Sequence, residues 1–524
     1  MIKNFLNKYW QVLLINILVL VGVILGYGHF GNIIVDSFRE IYIPSQMLEG
    51  QALYKNIFSI YAPLSYFINA FLFMIFGVKL KIAYFAGFIA ATTVINLTYK
   101  IATNFLSKNC AFALTLFFFS ISALTPSVFN LYFPYSFGIL YGLAFILASI
   151  YFALKKSYPL AYLFYSLAIC TKYEFLLFLP ILIFMSGKKD FWKNLGAFLA
   201  PIVLTLVALR LSGSRISDLI ISLKLISAMT SSKTLYWFYS VTGLTFRWEL
   251  IPIYLVDLIK IAVPVAILYF VKKYWIIPIV FIYLYYIANQ ELLVFAFPLI
   301  LIMFAIKFKS LTRDEKLIII ASILLSAKVF FATTLESYGV FFIPFALISI
   351  FILTPEKLRK SLYITLILCS IVFGIKNIQG LSHKNIKLKT EVGTVYTEPY
   401  YGETMNELIA FVEKNSSPND EILVLPEGLS INVLTQRKSD NKFYSLIPLY
   451  TETFGEDLII KRLKYKKPRY IAVNNYDTSS YYYRGFGFDY ALEIQKFINK
   501  NYTVKAHLGK DFQVLVFETN HPSP

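Results

Sequence analysis

Three ionisable residues, Asp36, Arg39 and Glu40, fall within five positions at the head of a stretch that is otherwise aromatic and apolar, VDSFREIYIPSQMLEGQALYKNIFSIYAPLSYFINAFLFMIFG, residues 35–77. A carboxylate at the rim of an apolar cavity can take a proton from a hydroxyl as that hydroxyl attacks. Asp36 is the candidate for that work; the competing reading is a solvated loop acid that caps a following helix. Arg39 and Glu40 lie one helical turn on, near Asp36 in space. Arg39 can grip a phosphate in a fork, or simply pair with its neighbour. Tyr42, Tyr54 and Tyr61 are further candidates to line the cavity. A second group is Lys172 with Glu174, in AICTKYEFLLFLP. A lysine between two apolar runs can offset a lipid phosphate leaving group, or snorkel and pair locally. Glu291, in NQELLVFAFP, and Glu336 mark two more polar turns and read more readily as structural. His29, His383, His507 and His521 are scattered, and no His/Asp/Glu cluster stands at metal-ligand spacing. No cofactor is firmly implied; a divalent metal is conceivable but has no ligand cluster behind it.

The rest of the chain must position these groups. Of 524 residues 58% are hydrophobic and only 15% charged, which describes a polytopic membrane protein rather than a soluble enzyme. The net charge of +19 is uneven: residues 1–375 hold 30 Lys/Arg against 13 Asp/Glu, an excess of 17, and residues 376–524 hold 19 against 17, an excess of 2. The basic excess thus belongs to membrane loops, where it sets orientation, and nucleic-acid binding is disfavoured because no basic domain stands apart. Cys110, Cys170 and Cys369 all lie in apolar runs and read as packing residues.

Lys3 and Lys8 precede an apolar run, 11–27, that stays as an anchor and places the N-terminus in the cytoplasm. The run 61–76 is short for a crossing and is read as lying in the outer interface. Further spans are then expected at 82–102, 111–124, 137–154, 160–170, 175–185, 195–211, 250–271, 275–288, 292–306, 317–331, 340–353 and 362–374. With this choice every paired-lysine loop falls on the cytoplasmic side. The result is about thirteen spans, with a domain of residues 1–375 carrying the outer loop 35–77, and an extracytoplasmic domain of residues 376–524. That second part opens with a basic linker, 376–389. The runs EILVLP and RYIAVNN read as strands, 403–414 and 489–500 as helices, and VKAHLG with FQVLVFET as a closing hairpin: a small α/β domain. The glycine in EGLSINVL is read as a plain strand–helix turn rather than a phosphate loop.

One apolar span, an acid at the start of a long outer loop, and GQALYKNIFSIYAPLSYFINAFLFMIFG together resemble the first-loop pattern of bacterial GT-C glycosyltransferases, the family-39-like relatives of protein O-mannosyltransferases and of the lipid A aminoarabinose transferase. AICTKYEFLLFLP resembles their TK-containing segment. The resemblance implies a GT-C fold, a polyprenyl-phosphate-linked sugar as donor, and an acceptor hydroxyl on an outer-face envelope glycan, lipid or protein. It also implies an inverting single displacement in the bacterial inner membrane. Asp36 would be the general base, with Lys172 and Arg39 on the donor phosphate. Two departures bear on metal assistance and acceptor choice: Asp36-Ser37 stands where many relatives have Asp-Glu, and the loop FNLYFPYS has no acid. The loops 35–61 and 212–246 would form the cleft, the second as a lid. Rival readings are a polysaccharide polymerase or ligase, which would lean on outer-loop arginines, and a lipid-linked sugar transporter, which would show inverted repeats.

Overall fold

The computed structural model describes residues 2–34, 36–126, 129–187, 190–227, 233–234, 237, 251–287, 296–325, 343–439 and 442–520. The N-terminal helices are α1 (Ile2–Gly26), α2 (Arg39–Leu48), α3 (Leu64–Phe76), α4 (Leu80–Ala102), α5 (Lys108–Ser122), α6 (Phe137–Leu154) and α7 (Tyr158–Thr171). Every run expected to span carries helix over most of its described residues. Among the described residues five helices are long and apolar enough to cross a membrane: Tyr9–Gly26, Leu80–Ala102, Phe137–Leu154, Phe191–Leu211 and Glu356–Ser382. Others, such as Lys108–Ser122 and Ile343–Leu353, are apolar but shorter. Where a basic linker is expected after Gly374, the helix instead continues to Ser382 and a strand starts at Ile386; Lys376 and its neighbours extend the helix rather than end it.

The chain divides into two compact units: residues 1–30, 85–203 and 239–381, and residues 31–84, 204–238 and 382–524. In the first, the segment after α5 is knit by Asn130, whose side-chain oxygen accepts from the backbone N–H groups of Tyr132 and Phe133. Tyr132, fully buried, donates its hydroxyl to the Val19 carbonyl at 2.8 Å. Gly87 on α4 is what admits this segment: a Cβ there would lie 1.9 Å from the Tyr132 carbonyl oxygen. Because the obstacle is backbone, it cannot swing aside. Gly87→Ala is expected to cost about 1–3 kcal/mol, measured as a lowered thermal midpoint of the purified chain.

The second unit holds the α/β fold. β1 (Ile386–Thr390) and β2 (Gly393–Thr397) form an antiparallel hairpin. β3 (Ile422–Leu425), β4 (Tyr470–Asn474), β5 (Tyr502–Leu508) and β6 (Val514–Thr519) form a sheet in the order β3-β4-β6-β5. β3 and β4 are parallel, which requires a crossover, here containing helices such as Glu456–Tyr465. The closing hairpin β5–β6 is antiparallel, as read from the sequence. All four residues of β3 are buried, so its run is continuously apolar, whereas β5 at the edge is mostly exposed. Ile459 and Leu463, and Ile494 and Ile498, are i,i+4 pairs that bring two helices onto the core with Leu423, Leu425, Ile471 and Phe517.

Candidate active site in the loop and the α/β fold

Within the second unit, the backbone before α2 makes a tight turn. Ile34 N–H donates to Asn32 Oδ1 and Asn32 N–H to Ser37 Oγ. Asp36 follows at φ 63°, the left-handed region that Asp tolerates better than most residues. Helix α2 is capped at Phe38 with no side-chain cap bond. The Asp36 carboxylate is therefore not the helix cap; its Oδ1 meets Arg39 Nη1 at 2.6 Å. The spacing i,i+3 puts the pair on one face, as expected. The Asp36 side chain keeps 33% of its exposure while that of Arg39 keeps 6%, so the acid is the member open to a partner.

Arg39 is held on three sides. Besides Asp36, its Nε lies 3.6 Å from Glu40 Oε1 and its guanidinium sits 4.6 Å from the centre of the Tyr61 ring. Glu40 is fully buried, and its main-chain oxygen accepts from Asn69 Nδ2 of α3 at 3.4 Å. Tyr54, buried and at φ 66°, donates to the Tyr61 carbonyl, and Ser59 Oγ accepts from the Tyr61 N–H while meeting the Tyr66 hydroxyl. Tyr42 accepts from the Ser439 N–H at 2.9 Å and its ring lies 6.4 Å from that of Tyr444. The structure thus gathers Asp36, Arg39, Glu40, Tyr42, Tyr54 and Tyr61 in one unit. Arg39→Leu would leave the Glu40 carboxylate buried beside no guanidinium. It is expected to destabilise by about 3–5 kcal/mol, with Arg39→Lys intermediate because it loses the planar fork; thermal unfolding of both variants checks the order.

Glu427 is a site residue the sequence reading missed. It ends the buried run ILVLP of β3 and keeps only 5% exposure. Ser445 donates to its Oε2, and Asn474 Nδ2 donates to its main-chain oxygen at 2.8 Å. Gly428 beside it takes φ 157°, and a Cβ there would stand 2.4 Å from Val424 Cγ1. Burial first, then the charge of Asp36, raises the Glu427 carboxyl from its usual 4.5 to about 8, with Ser445 and Arg39 working the other way. At neutral pH it is a carboxylic acid. Burial, then the charges of Glu427 and Asp36, likewise raise the Tyr476 phenol. Burial, then Tyr476 and Asp36, raise Tyr481. The Trp237 ring packs tilted against that of Tyr481 with ring centres 4.3 Å apart, and Thr234 donates to Glu452. These two are described residues of the stretch 212–246. Lys384 donates to the Gly31 carbonyl at 2.7 Å, anchoring the start of the loop; burial lowers its ammonium to about 8 against the raising effect of Glu398.

Lys172 and Glu174 belong to the first unit. Lys172, 5% exposed, leaves α7 in extended conformation; its Nζ lies 3.5 Å from Glu174 Oε2 and 6.0 Å from the centre of the Tyr135 ring. Gly142 makes room for this turn, since a Cβ there would meet the Phe175 ring at 2.3 Å. Glu291 and Glu336 lie outside the described residues. Among the described residues no three His, Cys, Asp or Glu side chains are grouped to hold a metal.

Neither a family model nor a curated protein sequence matches the chain. Among solved structures it is similar to ArnT from Cupriavidus metallidurans bound to undecaprenyl phosphate, at 11% identity and TM-score 0.48, over 97% of this chain and 98% of that one. It is also similar to the archaeal oligosaccharyltransferase AglB from Archaeoglobus fulgidus in complex with an inhibitory peptide and a dolichol-phosphate, at 12% identity and TM-score 0.49, over 90% of this chain and 70% of that one. Likenesses of this size assign neither substrate nor residue roles.

Proposed function

We propose that the chain is a multi-pass membrane glycosyltransferase of the GT-C type. It would move a sugar from a polyprenyl phosphate to a hydroxyl on an envelope glycan, lipid or protein at the outer face of the bacterial inner membrane. The observation that carries the reading is the Asp36 carboxylate. It is partly open, oriented through one oxygen by a buried arginine, and set among tyrosines beside a second acid raised to about 8. The acceptor oxygen attacks the anomeric carbon and its proton passes to the free oxygen of Asp36. The bond from the anomeric carbon to the phosphate oxygen breaks, and the polyprenyl phosphate leaves with the electron pair. The sugar is inverted in a single displacement. Lys172, by the sequence resemblance alone, would be the cation that offsets a leaving phosphate. Arg39, engaged on three sides, acts by orienting Asp36. Tyr42, Tyr54 and Tyr61 would line the cleft.

The test separates this reading from transport. Purified chain in proteoliposomes receives a polyprenyl-phosphate sugar radiolabelled in the sugar, with an envelope extract as acceptor. The reading predicts that label leaves the lipid for the extract. Label that crosses the bilayer still attached to its lipid, with none transferred, would replace it with the transporter reading.

A further inference from the structure

The first unit contains a cavity of about 410 Å³ that the sugar-transfer reading does not use. Its wall comes from the turn between helices Ile251–Val271 and Ile276–Ile287 and from the first turns of helix Glu356–Ser382. Four lysines, Lys272, Lys273, Lys357 and Lys360, meet there although about 85 residues separate the two segments. None of the four is paired with a carboxylate among the described residues; Lys272 sits 5.6 Å from the centre of the Tyr269 ring. The same wall also carries apolar residues: Leu268, Ile276, Ile277 and Ile364. Tyr274 and Trp275 beside it are 85% and 61% exposed, the residue types that settle at a membrane interface. The volume lies in the range of ligand pockets, roughly 300–1,000 Å³.

We propose that this cavity binds one anionic phospholipid, its phosphate on the lysines and the start of an acyl chain along the isoleucines. Unpaired ammonium groups gathered from two segments repel one another unless an anion joins them. An apolar wall reaching the same point excludes a purely aqueous anion as the best fit. Lysines that only mark the cytoplasmic side of a membrane protein need no shared cavity.

The test uses the full-length chain in neutral detergent with added phosphatidylglycerol or phosphatidylcholine, and native mass spectrometry counts retained lipid. One phosphatidylglycerol is expected to stay bound and phosphatidylcholine to leave. Lys357→Gln with Lys360→Gln is expected to weaken retention by roughly tenfold or more. Lys307→Gln with Lys309→Gln, an equal loss of charge elsewhere, is expected to leave it unchanged. Ile364→Trp, which keeps every lysine but puts a bulky ring into the apolar part of the wall, is expected to lower retention of the lipid. Elution profiles and thermal midpoints show that each variant is folded. Equal retention of the two lipids, an equal loss in the Lys307/Lys309 variant, or undiminished retention in Ile364→Trp would overturn the proposal. Complete displacement by excess inorganic phosphate would overturn it in favour of a small-anion site.

Discussion

Replacing Asp36 with asparagine is expected to lower sugar transfer by about 10²- to 10⁴-fold, the usual worth of a positioned general base. Asparagine keeps the shape of the side chain, and its oxygen can still accept from Arg39 Nη1, which now lies 2.6 Å from Asp36 Oδ1. The turn made by Asn32 and Ser37 does not involve the carboxylate. The variant therefore folds with the same pocket and lacks only a group able to take a proton. Donor binding is expected to survive, because the substitution removes one negative charge and takes away no cation that could hold a phosphate. Initial rates of label transfer, set beside retention of labelled donor, check both halves. A variant that neither binds nor transfers would point to a collapsed pocket instead.

Glu427→Gln has a different signature, a change in how stability depends on pH. Burial and the charge of Asp36 hold the folded carboxyl at about 8, against 4.5 ordinarily. Between those two values the folded chain keeps a proton that the unfolded chain has released. Stability therefore falls as pH rises through that window and levels off above about pH 8. The full difference is on the order of 5 kcal/mol at 1.36 kcal/mol per pH unit. Glutamine has no proton to lose and its side-chain oxygen can still accept from Ser445. The variant is expected to match the wild type near pH 5 and to exceed it by several kcal/mol at about pH 8. Thermal unfolding across that range measures the two slopes; parallel curves would mean that Glu427 is ionised in the folded chain at neutral pH.

Much of this was legible in the residue order because it depends on near neighbours. Apolar runs bounded by lysines give helices, and the two strand-like runs VKAHLG and FQVLVFET, close in sequence, give the closing hairpin. Asp36 and Arg39 meet because three residues make one face of a turn. Glu427 was not legible for the opposite reason. Its hydrogen-bond partner Ser445 lies 18 residues on, and Asp36, whose charge raises it, comes from the far end of the chain. The available signal was an acid two residues past the fully buried run of β3, where a solvated loop residue would be ordinary. The linker expected at 376–389 failed because lysines are good helix formers: the apolar face of helix Glu356–Ser382, with Val372, Phe373 and Leu381 buried, continues past the point where mean hydropathy falls.

The central claim, that Asp36 takes a proton rather than forming a bond to sugar, is tested most directly by the anomeric configuration of the product. Wild-type chain is given a polyprenyl-phosphate sugar of defined configuration, and the new glycosidic linkage is read by proton NMR. A single displacement with Asp36 as base predicts inversion. Retention would mean two displacements through a covalent sugar–enzyme ester, and would contradict the role assigned to Asp36.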